Sequence, residues 1–343
     1  MHALITGGSG FFAGFLADAL LARGWSVRNL DLVPGTRTDR RLAYVRGSVV
    51  DPHAVAEAVR GVDVVFHAVA SQPLGTTRRE VLQFNPRATE AILGAARRSG
   101  VAKLVFLSST AIYGIPRELP IRESTSPRPA EAYGRSKVHC ERLCAEAAAR
   151  GLDLTIVRPR TIIGPGRLGI FQLLFEWVRR GSRIPVFGDG SHRFQFVHAK
   201  DLAEACLLAA ERQGSSEYNV GADRFGSIAE TLQSLIAHAR SGSQLLHMPR
   251  WVAIQLNRSL AWTGLSPLGA YHYLAYGYEN HFDVSKARTE LGWKPCYSND
   301  EMLREAYDWY LLHRRMPHLE GASPNQSAVR PRALALLAWL FRE

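Results

Sequence analysis

The first 24 residues constrain the fold more than any other stretch of the chain. His2 to Ile5 ("HALI") is a short apolar run of the kind that forms a buried strand, "TGGSGFFAG" follows at once, and "FLADALLARG" carries apolar residues at helical spacing up to Gly24. Strand, glycine-rich turn and helix in that order begin a βαβ unit, which implies a parallel sheet covered by helices. Gly7, Gly10 and Ala13 fit a dinucleotide-binding fingerprint with Ala in its third place. Gly7 permits a tight turn, Gly10 lets the backbone approach a pyrophosphate, and Ala13 is small enough for the helix to pack on the strand. The helix N-terminus, opened by Phe11 and Phe12, offers free N–H groups and a positive dipole end to the phosphates.

"WSVRNLDL" predicts a second strand ending at Asp31, about 20 residues beyond the turn, where a ribose-binding acid belongs. A carboxylate there accepts hydrogen bonds from the adenosine ribose and repels a 2′-phosphate, so the expected cofactor is NAD rather than NADP. Arg28 and Arg37 lie nearby and are read as surface arginines.

Further along, "VDVVFHAVA", "KLVFLSS" and "DLTIVRP" predict apolar strands, separated by the helical patterns "EAILGAARRSG" and "AYGRSKVHCERLCAEAAARG". Continuous apolar strands alternating with helices predict an α/β fold: a Rossmann-type, doubly wound parallel sheet, with a smaller C-terminal α+β lobe for substrate. Ligands of such sheets bind beyond the carboxyl ends of the strands, where Gly7, Asp31, Ser109, Arg158 and Pro159 fall. The expected division is a nucleotide-binding core over residues 1–160, to whose sheet later segments can return. A substrate lobe follows over 161–316, then a linker with a short apolar tail over 317–343. Residues 251–278 hold two Trp and four Tyr. The tail's nine-residue run "ALALLAWLF" is too short to cross a bilayer and can dock on the protein, on another subunit or on a lipid surface.

Tyr133 and Lys137 stand four apart in "AYGRSK", on one face of a predicted helix. An ammonium beside a phenol favours the phenolate, and a tyrosine tuned in that way serves as a general base at neutral pH. The net charge of +11 suits a phosphorylated substrate or an anionic surface, while the scattered basic residues and absence of a basic run speak against nucleic acid. Four cysteines without zinc spacing predict no metal site and a reducing, cytoplasmic setting, and no secretory leader is expected.

Taken in order, these motifs resemble the extended short-chain dehydrogenase/reductase superfamily, specifically its NAD-dependent epimerase/dehydratase group, over about residues 1–312. "TGGSGFFA" is similar to the cofactor turn, "HAVA" (His67 to Ala70) to the strand-four element, and "NPRAT" (Asn85 to Thr89) to an Asn-x-x-Gly-Thr element with Ala88 in place of Gly. "LSSTAIYG", "YGRSK", "RPRTIIGPG" and "FDVSKARTELGWKP" follow. The resemblance implies that Tyr133 exchanges the proton of a secondary hydroxyl, Ser109 orients that oxygen, and Lys137 holds the nicotinamide ribose and lowers the Tyr133 pKa. It adds Ser48 and Val49 at the adenine, and Ala68, Val69, Ala70, Asn85, Ser108, Arg158 and Pro159 around the cofactor. It also implies a homodimer through the helix bearing Tyr133 and a neighbouring helix.

Departures from the family pattern narrow the substrate. Sugar 4,6-dehydratases resemble Thr-Asp-Glu-Val-Tyr-Gly at the strand end, but this chain has Thr110 and Ala111 in the Asp and Glu places, which argues against that reaction. An adenine-side Asp-x-x-Asp element is partly lost, with Ser48 first and Asp51 last. The arginine that usually binds the substrate pyrophosphate after Gly-Asp-Gly is matched by Phe194, with Arg193 one place earlier; a second arginine usual before "FDVSKA" is missing. Arg160, Arg167, Arg179, Arg180 and Arg193 are the candidate substitutes; Ser109, Thr110, Arg160 and Arg193 are the candidate substrate contacts. Two readings stay open. One is a nucleotide-sugar epimerase, most simply at C4. The other is a 3β-hydroxysteroid-dehydrogenase-like oxidoreductase on an apolar alcohol or ketone, suggested by the missing arginines, the aromatic 251–278 segment, "IFQLLFEWV" and the tail.

Overall fold

A computed structural model describes residues 1–35, 37–72, 76–249, 251–252, 255 and 277–314. Most of the aromatic 251–278 segment and the whole of the 317–343 linker and tail lie outside the described residues.

Seven parallel strands form the central sheet: β1 (His2–Thr6), β2 (Ser26–Asp31), β3 (Leu42–Arg46), β4 (Val64–His67), β5 (Lys103–Leu107), β6 (Leu154–Pro159) and β10 (Ser216–Val220). Their spatial order is β10-β6-β5-β4-β1-β2-β3. The sheet winds outward in both directions from β1, so a crevice opens between the carboxyl ends of β1 and β4.

Strand residues alternate between the two faces. Ala3, Ile5 and Phe66 join one core with Leu16 and Leu20 of α1 (Phe11–Ala22) and Leu202 and Cys206 of α6 (Ala199–Glu211). Leu4, Leu30 and Val65 join the other with Val55 of α2 (Pro52–Val59), Ile92 of α3 (Arg78–Arg98), and Cys140 and Cys144 of α4 (Ala132–Ala149). Both faces are dry, which explains why these strands read as continuous apolar runs.

The remaining elements build the lobe over the carboxyl end. They are β7 (Thr161–Ile163), α5 (Ile170–Arg180), β8 (Ile184–Phe187), β9 (Phe196–His198), α7 (Ile228–His238), β11 (Leu245–Met248), α8 (Ser285–Leu291) and α9 (Asn299–His313). β7 pairs with β9 and β8 with β11, both parallel. Phe171, Phe175, Phe194, Phe196, Met302 and Tyr307 fill this lobe's own core. The boundary near residue 160 is crossed again, because α6 and β10 lie in the nucleotide-binding sheet and its flanking layer. Trp293 locks the segments together: fully buried after α8, it donates from its indole nitrogen to the Asp201 carbonyl of α6 at 2.9 Å. None of the described helices is long and apolar enough to cross a membrane.

Candidate active site

A cleft of about 350 Å³ occupies the crevice beyond β1 and β4. Its floor is the glycine turn. Gly7 has φ +70°, and its N–H donates to the Leu30 carbonyl at 2.9 Å, which ties the turn to β2. A Cβ at Gly7 would lie 3.0 Å from Val69, and one at Gly10 would lie 3.0 Å from the Gly7 carbonyl oxygen. A side chain at either place would press on Val69 or on the backbone of the turn, and Gly10 caps the start of α1, so this tight turn at a helix N-terminus suits a dinucleotide pyrophosphate.

Asp31 stands on the cleft wall at the end of β2. Its carboxylate accepts from the Ser9 N–H at 3.0 Å and the Val33 N–H at 3.3 Å, which fixes it beside the turn. The two nearby arginines are engaged elsewhere. Arg28 donates to the Ala58 and Arg60 carbonyls at 2.8 and 2.7 Å, capping the end of α2, and Arg37 pairs with Asp18 at 2.9 Å.

Gly7, Gly10, Phe11, Phe12, Ala68, Val69, Ala70, Ser108 and Pro159 all line the cleft. Four expected cofactor contacts do not. Val49 is buried in the core beneath α2, and the Ser48 hydroxyl accepts from the Val50 N–H. Asp51, the surviving half of the adenine-side pattern, caps α2 by accepting from the His53 N–H at 3.0 Å. Asn85 is a tether: its amide oxygen accepts from the Ser71 N–H at 2.7 Å, and its amide nitrogen donates to the Ser136 hydroxyl at 2.9 Å, joining α3, the loop after β4, and α4. Arg158 turns away from the cleft into a buried bidentate pair with Glu141 (3.0 and 2.8 Å), and also donates to the Tyr113 hydroxyl at 3.0 Å. Glu141 of α4 supplies the carboxylate that offsets the cost of burying this guanidinium.

Ser109, Tyr133 and Lys137 meet on the cleft wall. Ser109 begins the 3-10 turn Thr110–Ile112 and accepts the Ala111 N–H at 3.2 Å. Lys137 is buried, and its ammonium donates to the Leu107 carbonyl at the end of β5 at 2.7 Å. The same ammonium lies 5.9 Å from the centre of the Tyr133 ring. Burial holds the Lys137 pKa below the usual lysine value, against the opposing pull of Cys140, Cys144 and Glu141. A positive charge is thus set beneath the phenol at one helical turn's spacing.

The sequence reading missed Glu131, which caps α4. Its carboxylate accepts from the Tyr133 N–H at 2.6 Å and the Gly134 N–H at 2.7 Å, fixing the turn that carries the phenol. Glutamate is not among the preferred N-caps, so propensity offers no signal for it. A buried relay at the base of the cleft was also missed. His67 bonds Thr6 at 2.8 Å, and the Thr6 hydroxyl accepts from the Ala68 N–H at 3.2 Å. Burial, helped by the Lys137 charge, lowers the His67 pKa to about 3 and keeps the ring neutral.

The substrate side sorts the candidate arginines. Arg160 and Arg167, both buried, line the cleft with Thr110. Arg179 and Arg180 pair with Glu176 on α5. Arg193 is not on the cleft wall; it is exposed, with its guanidinium 4.7 Å over the Phe225 ring, whereas Phe194 is buried. The one-residue offset turns Phe194, not Arg193, into the interior. Among the described residues there is no cluster of His, Cys, Asp and Glu able to hold a metal ion.

A parallel doubly wound sheet, a glycine cradle backed by an acid, and Ser, Tyr and Lys on the facing wall define a Rossmann-type nicotinamide-dependent enzyme. The chain belongs to the NAD dependent epimerase/dehydratase family, whose model matches residues 3–221. It is 44% identical over 342 residues to the uncharacterized protein y4nG of Sinorhizobium fredii, covering 99% of this chain and 86% of that one. It is 28% identical over 359 residues to a 3 beta-hydroxysteroid dehydrogenase/Delta 5→4-isomerase of Mycobacterium tuberculosis (96% and 95% covered). It is also 28% identical over 342 residues to a UDP-glucose 4-epimerase of Streptomyces lividans (90% and 96% covered). Among solved structures, MoeE5 in complex with UDP-glucose and NAD superposes with a TM-score of 0.74 at 25% identity, covering 92% of this chain and all of that one.

Proposed function

We propose that this NAD-dependent enzyme is a nucleotide-sugar epimerase acting at a secondary carbinol, in the simplest case C4 of the sugar. The observation that carries this reading is the pair of buried arginines, Arg160 and Arg167, on the same cleft wall as Ser109 and Tyr133. Burying a guanidinium is costly, so two of them facing a cleft favour an anionic substrate over a neutral alcohol.

In this reading Tyr133 takes the proton of the carbinol hydroxyl and later returns it, while the Ser109 hydroxyl donates to the carbinol oxygen as it gains carbonyl character. The buried Lys137 ammonium stabilises the Tyr133 phenolate electrostatically. Gly7 and Gly10 hold the cofactor pyrophosphate and Asp31 the adenosine ribose. Bound NAD supplies the acceptor and donor of hydride. Inversion then requires that the substrate turn over in the cleft before the hydride returns.

The test is to denature the purified protein, assay the released nucleotide, and incubate native protein with UDP-glucose and UDP-galactose. NAD(H) near one per chain, together with interconversion without net NADH, supports the epimerase. An empty protein that reduces added NAD with a hydroxysteroid and ignores both sugars would overturn it. That second reading is favoured by one specific observation, the buried Phe194 where sugar epimerases usually carry a phosphate-binding arginine.

A further inference from the structure

β5 reads Lys103, Leu104, Val105, Phe106, Leu107, and its single aromatic side chain stands beside Lys137. Leu104 and Phe106 turn to the sheet face that α3 and α4 cover, where they share a core with Cys140 and Cys144. An aliphatic side chain of similar volume would serve that packing alone. The ring does more: the Lys137 ammonium lies over its face, 4.8 Å from the centroid. The same nitrogen donates to the carbonyl of the next residue, Leu107, at 2.7 Å. Two consecutive residues of β5 thus grip one ammonium, Phe106 with its ring and Leu107 with its backbone.

A buried ammonium is costly to keep charged, and burial pulls the Lys137 pKa down. The titratable groups that face it are Tyr133, Cys140, Cys144 and Glu141 on its own helix and His67 on β4. Glu141, one turn further along α4, already holds Arg158 of β6 in a bidentate pair at 3.0 and 2.8 Å. Burial pushes both thiols up, so they stay neutral near pH 7. His67 is neutral as well, with its ring 5.7 Å from that of Phe106. Tyr133 is the group whose ionisation the charge has to support. A peptide carbonyl and the negative face of an aromatic ring are therefore the direct contacts that favour the charged form. A cation–π contact is strongest where water is excluded, as it is here.

We infer that Phe106 is a positioning residue for the Tyr133 and Lys137 pair: its ring face keeps the Lys137 ammonium charged and seated beneath the phenol. Phe106 does not line the cleft, so it acts through Lys137. The inference rests on the hydride chemistry proposed for this cleft and not on which carbinol reacts.

The test reads the charge of Lys137 itself. The chain has five lysines, Lys103, Lys137, Lys200, Lys286 and Lys294, few enough to follow each side-chain nitrogen by NMR in full-length protein carrying isotopically labelled lysine. Lys137→Arg assigns the signal. Wild type, Phe106→Leu and Phe106→Tyr are titrated with pH, while the thermal midpoint and the NAD(H) released on denaturation report folding. We expect the Lys137 titration to fall by about one pH unit in Phe106→Leu, and to return to within about 0.3 unit of wild type in Phe106→Tyr, which keeps the ring face. The alkaline limb of the rate profile, where Lys137 gives up its proton, should move down with it. A shift smaller than about 0.3 unit in folded Phe106→Leu overturns the inference. An equal fall in Phe106→Leu and Phe106→Tyr also overturns it, because that marks a packing effect. If Phe106→Leu does not fold, Phe106→Met is judged by the same criteria. A wild type that turns over neither UDP-sugars nor hydroxysteroids defeats the reading of the cleft, and the NMR titration still decides whether the ring holds the charge.

Discussion

At the scale of single residues, the proposed chemistry rests on one phenol, Tyr133, with the Lys137 ammonium 5.9 Å from its ring centre. Tyr133→Phe removes the exchangeable proton and leaves the ring, so turnover should fall by about 10²–10⁴-fold while NAD affinity is retained. Steady-state rates measured alongside NAD titration check this; unchanged turnover would remove Tyr133 from the chemistry. Glu131 acts through Tyr133 and Gly134, whose N–H groups it accepts. Glu131→Ala should cost about 1 kcal/mol of stability, as the loss of an N-cap does. It should also lower kcat more than it raises KM, since it loosens the turn that presents the phenol. Urea denaturation and a kcat-against-KM comparison separate the two effects. Tyr133 and Lys137 were legible because a four-residue spacing maps onto one helical face. Glu131 was not, because its role depends on the chain's entry angle into α4.

At the scale of elements, α4 must lie close against the turn that carries Ser109. Gly134 makes this possible: a Cβ there would come within 2.3 Å of the Ala111 carbonyl oxygen and 2.9 Å of Pro129. The neighbour is backbone, which cannot rotate aside. Gly134→Ala should therefore cost about 1–3 kcal/mol, in the manner of an overpacked core, and should separate Ser109 from Tyr133 enough to cut activity by more than the stability loss accounts for. A crystal structure of the variant, or a melt paired with an activity assay, checks this; an active, equally stable variant would show that the packing yields. Sequence reading placed α1, α4 and the apolar strands, because period and apolar runs are local. Val49, Asn85 and Arg158 do not line the cleft: a motif match says which residue lies near a site but not which way its side chain turns. The bidentate Glu141–Arg158 pair joins residues 17 apart in sequence on different elements, and only the packed fold brings them together.

At the scale of the whole molecule, two buried histidines make folding sensitive to acid. Burial first, with Lys137, takes the His67 pKa to about 3, and burial first, with Lys200 and against Glu305, takes His198 to about 4. Both values fall below the 6.5 of an unfolded histidine. Below pH 6.5 the unfolded chain binds protons that the folded chain refuses, so stability falls with pH from there until the folded values are reached. Each histidine should cost about 2 kcal/mol at pH 5 relative to neutral pH. Chemical denaturation at pH 7, 6 and 5 reads the slope, and His67→Gln should flatten it; an unchanged slope in that variant would mean that the ring ionises in place. The same long-range logic governs the substrate side, where β6, β7, β9 and the 280–282 segment converge on Arg160.

The sequence by itself determined the class of fold, the cofactor and the Ser, Tyr and Lys of the cleft, because each is written in short-range spacing: a glycine turn between strand and helix, an acid at a strand end, two residues one helical turn apart. Tertiary structure alone decided which arginine pairs with Glu141 and which lines the cleft. Arg158 lies in β6 and Arg160 just past its end, two residues apart in sequence. Yet one meets Glu141 and the other meets Thr110 and Asn280, because the elements that surround them arrive from distant parts of the chain. Local pattern carries no record of that convergence, since the charge of a side chain is set by its own chemistry but its use is set by what packs against it.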